Sequence, residues 1–163
     1  MFRRRLLPPA VAAHAKAIGV LGATALDDER WLLVGTDVGA VVGGSGPDHS
    51  FPWTDVEHAA WDGPARSLRI AWVDGRPDLL VRTASDDVYD VSAALRDRVN
   101  ASIVHVEYLT TTSGGEVRAL IRRGSGGSIF SQLVARGPVT PEDLDAVAAL
   151  ERRARAAAGL PTP

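Results

Sequence analysis

Arginine is the residue type in this sequence best suited to grip an anion, and two groups of it stand out. Arg3, Arg4 and Arg5 are adjacent at the N-terminus. Each such cation contributes about 1 kcal/mol beside an anionic lipid surface, so three of them without a long apolar anchor give only weak attachment. Arg118, Arg122 and Arg136 lie in two stretches with strand-like alternation. On a shared outer face they would offer a patch to a phosphate or an acidic partner, although a solvated strand face is the commoner outcome for such charges.

The other chemistry-bearing residues do not form a catalytic or ligating pattern. His14, His49, His58 and His105 are too widely spaced for a helical or hairpin metal set. There is no cysteine, which removes disulfides, thiolate zinc sites, iron–sulfur clusters and cysteine nucleophiles. Serine is plentiful, but no G-x-S-x-G turn holds one in a strained, exposed position. Gly43-Gly44-Ser45-Gly46 and Gly124-Ser125-Gly126-Gly127 lack both the lysine of a phosphate loop and the glycine spacing of a dinucleotide fold. Both read as hairpin loops. Trp31, Trp53, Trp61 and Trp72 could stack a base or a quaternary ammonium, yet all four fall in predicted strands, where tryptophan usually fills a core. The expectation is a protein without catalytic machinery, cofactor or metal.

Composition sets the frame for these residues. The 163-residue chain is 45% hydrophobic and 23% charged, ordinary for a packed domain. Its formal net charge is −2; a protein that neutralises many phosphates normally carries a cationic surplus, so duplex nucleic acid is not an expected partner. No apolar run approaches the roughly 20 residues that span a bilayer. Arg3–Arg5 followed by Leu6 to Ala13 has the outline of a secretory leader. Its apolar part is short and carries Pro8 and Pro9 at its centre, so a basic arm on a cytoplasmic protein is expected instead. Lys16 is the single lysine, and the arginine excess is first a matter of codon usage.

The elements that would position these side chains are mostly strands. Arg30 to Gly35 and Val38 to Val42 flank Thr36-Asp37 as a hairpin, and Gly43 to Asp48 reads as a loop. Phe51-Pro52-Trp53 opens a strand that runs to Trp61. Leu68, Ile70 and Trp72 alternate with Arg69, Ala71 and Val73, and Asp74-Gly75 turns that strand back onto Leu79 to Thr83. This predicts a meander of about six strands. A helix from about 86 to 100 follows, with Ser85 as cap and Val88, Val91, Leu95 and Val99 as its apolar stripe. In a second meander Val104, Val106 and Tyr108 alternate with His105 and Glu107, Val117, Ala119 and Ile121 alternate with Arg118 and Arg122, and a third strand runs over Ile129 to Arg136. Thr140, Pro141, Glu142 and Asp143 open a last helix, which Gly159 closes.

The run Arg30-Trp31-Leu32-Leu33-Val34-Gly35-Thr36-Asp37, followed by Val38-Gly39-Ala40-Val41-Val42, resembles the opening hairpin of pleckstrin-homology-like and GRAM-like small barrels. Phe51-Pro52-Trp53-Thr54-Asp55-Val56-Glu57 is similar to the aromatic, polar, acidic and aliphatic opening of a later strand in those domains. The resemblance covers roughly residues 10 to 100 and implies an antiparallel barrel or strongly bent sheet with a capping helix. Lipid-binding members usually carry several basic residues around the first hairpin loop; the Thr36-Asp37 turn has none, so phosphoinositide recognition does not carry over. The chain as a whole resembles a group of actinobacterial proteins of similar length, a likeness that brings no activity with it.

The expected fold is therefore α+β: residues 1–100 as a pleckstrin-homology-like meander plus helix, and residues 101–163 as a three-stranded meander plus C-terminal helix, packed as one unit. The alanine-rich last helix also suits a homodimer contact. The leading expectation for function is a non-enzymatic binding or adaptor module for a protein partner, with open strand edges and a groove beside the helix as its sites. The alternative is peripheral attachment to anionic membrane through Arg3, Arg4 and Arg5.

Overall fold

The computed structural model describes residues 7–162. The chain divides into two compact units, Met1–Asn100 and Ala101–Pro163, and the class is α+β with three antiparallel sheets. No helix among the described residues is long and apolar enough to cross a membrane.

The first unit opens with helix α1, Pro9–Ala17, where an arm was expected. Proline in the first helical turn costs no hydrogen bond and presets φ, and five alanines among the nine residues favour the helix. Gly19 ends it in the left-handed region, with Val20 N–H donating to Ala15 O and Gly19 N–H to Lys16 O, the paired closure of a Schellman motif. Val11 and Ala15, four residues apart, pack on Leu33, Ala40 and Val42.

Seven strands follow in this unit, in two sheets. β1 (Gly22–Ala25), β2 (Trp31–Val34), β3 (Val38–Gly43) and β4 (Gly46–Pro52) pair in chain order. β5 (Val56–Asp62), β6 (Ser67–Trp72) and β7 (Leu79–Arg82) form the other. The four- and three-stranded sheets are joined by one isolated bridge, Leu26 to Thr83, so the strands do not hydrogen-bond around a closed barrel. The expected long strand from Phe51 to Trp61 is two strands. Pro52 ends β4, and a short 3-10 turn over Trp53–Asp55 separates it from β5. The stretch Gly46 to Asp48, read as loop from its composition, belongs to β4.

α2 (Tyr89–Ala101) starts about three residues later than expected, but its stripe is as the spacing predicts. Val88, Val91, Leu95 and Val99 are buried with Leu32, Val34, Val41, Phe51, Trp53, Ile70 and Trp72 in the main core. The aromatic heart is held edge to face. Phe51 stands 5.7 Å from Trp53 and 5.0 Å from Trp72 between ring centroids, the arrangement ring quadrupoles favour. Gly39 makes room for it, because a Cβ there would come within 2.5 Å of the Phe51 ring and 2.8 Å of Trp53. Trp31 and Trp61 are only partly buried.

The second unit is a three-stranded sheet, β8 (Ile103–Thr110), β9 (Glu116–Arg123) and β10 (Ile129–Arg136), with β9 central, followed by α3 (Leu144–Ala157). Val117, Ala119 and Ile121 of β9 alternate onto one face and are buried with Leu150 and Ala154 of α3. After a register shift between Ile103 and His105, β8 pairs regularly, with Val106 and Tyr108 opposite Leu120 and Arg118, on the face away from Val117, Ala119 and Ile121. Leu109 packs toward α3, and Tyr108 is left largely exposed. Thr140 and Asp143 form a reciprocal capping box around a 3-10 turn that leads into α3, and Gly159 closes the helix as Gly19 closes α1.

Candidate binding groove

Among the described residues β1, β4, β5 and β7 are the edge strands of the first unit's two sheets. β4 pairs only with β3, and β7 pairs with β6 and is closed on its other side at Arg82, whose O accepts from Asp27 N–H. A groove of about 570 Å³ lies between β4 and β7, walled by His49, Ser50 and Phe51 of β4 and by Pro77 to Leu80 on the β7 side, with Trp72 contributing its ring. Leu80 is 60% exposed, which is costly for a leucine in mid-strand and marks an apolar surface without cover among the described residues. A second hollow of about 480 Å³ shares Arg30 and Leu80 with the first and continues along Val81 and Arg82.

Two arginines line the groove, each fixed by local chain geometry. Arg30 closes the tight β1–β2 turn, in which Leu26 N–H donates to Arg30 O. Glu29 takes a φ of 69° there, uncommon for a residue with a side chain. The guanidinium donates twice to Asp28 Oδ2, at 2.9 and 2.6 Å. Asp48 of β4 is a second, longer partner at 3.4 Å. The Arg30 hydrogen bond holds the Asp28 carboxyl below its ordinary range, and the Asp28 bond raises Arg30 in turn.

Arg76 follows the Asp74-Gly75 turn, where Gly75 supplies the positive φ of 72°. It donates to Asp55 at 3.0 Å and lies 3.6 Å from Asp74. Its guanidinium carbon sits 4.3 Å from the centre of the Trp72 ring, a cation–π distance. Trp72 Nε1 donates to Pro77 O at 3.1 Å, so the indole is fixed in position. The result is a groove of mixed polar and apolar lining with an ion-paired cation at each of two corners.

The arginines singled out from the sequence are placed differently. Arg3, Arg4 and Arg5 lie outside the described residues. Strand register does put Arg118, Arg122 and Arg136 on one face of the second sheet, since Arg136 faces Glu116 two positions from Arg118. They do not form an exposed patch, because Arg122 has 0% exposure. Its Nη1 donates to Ser102 Oγ at 2.7 Å and its Nε to Gln132 Oε1 at 3.1 Å. Arg118 is largely covered, 3.7 Å from Glu116, and only Arg136 is exposed. Alternation on β9 gives the face; it carries no sign of what lies over that face.

Sequence reasoning missed the groove. Its signals were present: Asp74-Gly75 fixes Arg76 beside Trp72, and the lone Leu80 opposes the period-two pattern of β7. Among the described residues, no three His, Asp or Glu side chains come together as a metal set. No protein-family model, curated protein or solved structure matches the chain.

Proposed function

We propose that this chain is a non-enzymatic binding module that receives an extended segment of a protein partner along the groove between β4 and β7. The observation that carries the reading is a groove bordered by two edge strands, β4 and β7, with Leu80 exposed at its rim. A strand edge offers unpaired backbone donors and acceptors to an incoming chain, and alternate side chains of that chain fall into the trough. Covering Leu80 alone is worth about 1.5–3 kcal/mol at full burial. Pro47 and Pro52 lie near the two ends of β4, and a register shift sits between Val41 and Val42 of β3. Proline and irregularity of this kind guard a sheet edge against indiscriminate pairing, which confines addition to the stretch from Asp48 to Phe51.

The α+β arrangement of the first unit, two antiparallel sheets with α2 packed into their common core, supports reading it as a pleckstrin-homology-like domain in which open edges serve as peptide sites. The alternative reading, attachment to anionic membrane, rests on Arg3, Arg4 and Arg5.

Affinity capture from native cytosol with the wild-type protein and with Leu80→Ser tests the proposal. Leu80 is exposed, so its truncation leaves stability nearly unchanged. A salt-resistant protein partner retained by the wild type and lost by Leu80→Ser is expected. Equal capture by both, or sedimentation with anionic vesicles that disappears when Arg3–Arg5 are neutralised, would contradict it.

A further inference from the structure

The ion pairs that frame the groove are unevenly matched, and this constrains the kind of segment it takes. Arg30 is shared between Asp28 and Asp48, and Arg76 between Asp55 and Asp74. Among the described residues, each corner therefore holds one more carboxylate than guanidinium. The remaining pairs nearby are matched one to one: Arg69 with Asp78 at 3.6 Å and Arg82 with Asp27 at 3.6 Å. The local field is thus acidic at the two corners, and between them the apolar surface within reach is Leu80 and the half-buried Leu79, with Phe51 and Trp72 buried behind. All four corner carboxylates are at least partly exposed or belong to exposed hydrogen bonds, so an arriving cation can share them without a large desolvation cost.

We infer that the segment received between β4 and β7 is basic: an extended stretch whose apolar side chains lie against Leu79 and Leu80 and whose Lys or Arg residues pair with the corner carboxylates. This rests on the proposed peptide-binding function and adds the chemical class of its partner. A ligand of the opposite charge meets repulsion at both corners, because the guanidiniums are already engaged. Like-charge juxtaposition is a more reliable source of discrimination than attraction across an exposed pair.

The test is to pan a random peptide display library on the full-length protein, on Leu80→Ser and on the double variant Asp48→Asn/Asp74→Asn, and then to titrate the recovered peptides at low and at physiological salt. The inference predicts peptides rich in Lys or Arg around apolar residues, absent from the Leu80→Ser selection. It also predicts that they bind the double variant roughly threefold to tenfold more weakly, with a flatter salt dependence. Neutral or acidic peptides that are still lost with Leu80→Ser would overturn the basic partner and leave the peptide groove standing. Peptides recovered equally on the wild type and Leu80→Ser would overturn the groove itself.

Discussion

Arg122 and Arg136 stand on the same face of one sheet, and their surroundings demand opposite responses to truncation. Arg122→Ala removes the donors to Ser102 and Gln132 and leaves a side-chain-sized void. We expect it to cost at least about 3 kcal/mol, as a lowered urea midpoint. Arg136→Ala should stay within about 0.5 kcal/mol. Small, equal effects would return Arg122 to the exposed patch that alternation alone suggests. Asp143 gives a second prediction at this scale. Its carboxylate accepts from Thr112 N–H and Oγ1 and from Thr140 N–H and Oγ1, at 2.9 to 3.0 Å. The Thr112 and Thr140 backbone donors are the main cause of a pKa lowered from 3.8 to about 2. A carboxyl whose folded pKa is depressed stabilises the fold above its unfolded pKa and loses that contribution as pH falls through the folded one. Stability should therefore drop between about pH 4 and pH 2. The Asp143 side-chain carbon should titrate near the bottom of that window by NMR. Asp143→Asn should be less stable at neutral pH, since an amide nitrogen cannot accept from these donors, and should show a weaker acid dependence.

At the scale of elements, α2 is the strut of the first unit. Leu95 is buried among core residues from both sheets, so Leu95→Ala should cost about 2–5 kcal/mol, the usual range for a leucine core truncation. Unfolding followed by tryptophan fluorescence reports on it directly, since Trp53 and Trp72 share that core. A loss below about 1 kcal/mol would mean that α2 is not packed as described. This helix was legible in the sequence because its stripe repeats at three and four residues and nothing interrupts it. The hairpins at Thr36-Asp37 and Asp74-Gly75, and the Thr140 to Asp143 start, were legible for the same local reason: turn and cap chemistry is written in a few adjacent residues. α1 was not, because Pro8-Pro9 and a run of alanines also suit a flexible arm. The sign of it lay elsewhere. Trp31 to Val34 and Val38 to Val42 are apolar at every position rather than alternate ones, and a strand buried on both faces needs a second layer such as α1. β8 misled for the opposite reason, since its alternation is regular but α3 covers the face of Leu109 rather than that of Val106 and Tyr108.

For the molecule as a whole, the two compact units meet in sequence at the end of α2, with Ser102 alone between that helix and β8. The groove belongs entirely to the first unit. Peptide binding should therefore be indifferent to Arg136→Ala in the second unit and sensitive to Leu80→Ser in the first, as affinities compared by fluorescence titration. The candidate site was less legible than the fold because a groove between strand edges joins residues from Arg30 to Leu80, whose proximity no local pattern records.

The measurement that tests the central claim most directly is an NMR titration of the full chain with a selected peptide, reading which backbone amides shift. The account predicts saturable shifts concentrated at residues 48–51 and 76–81, with the Trp72 indole N–H moving alongside them. Shifts centred on β8 to β10, or saturable binding that leaves β4 and β7 unmoved, would contradict it.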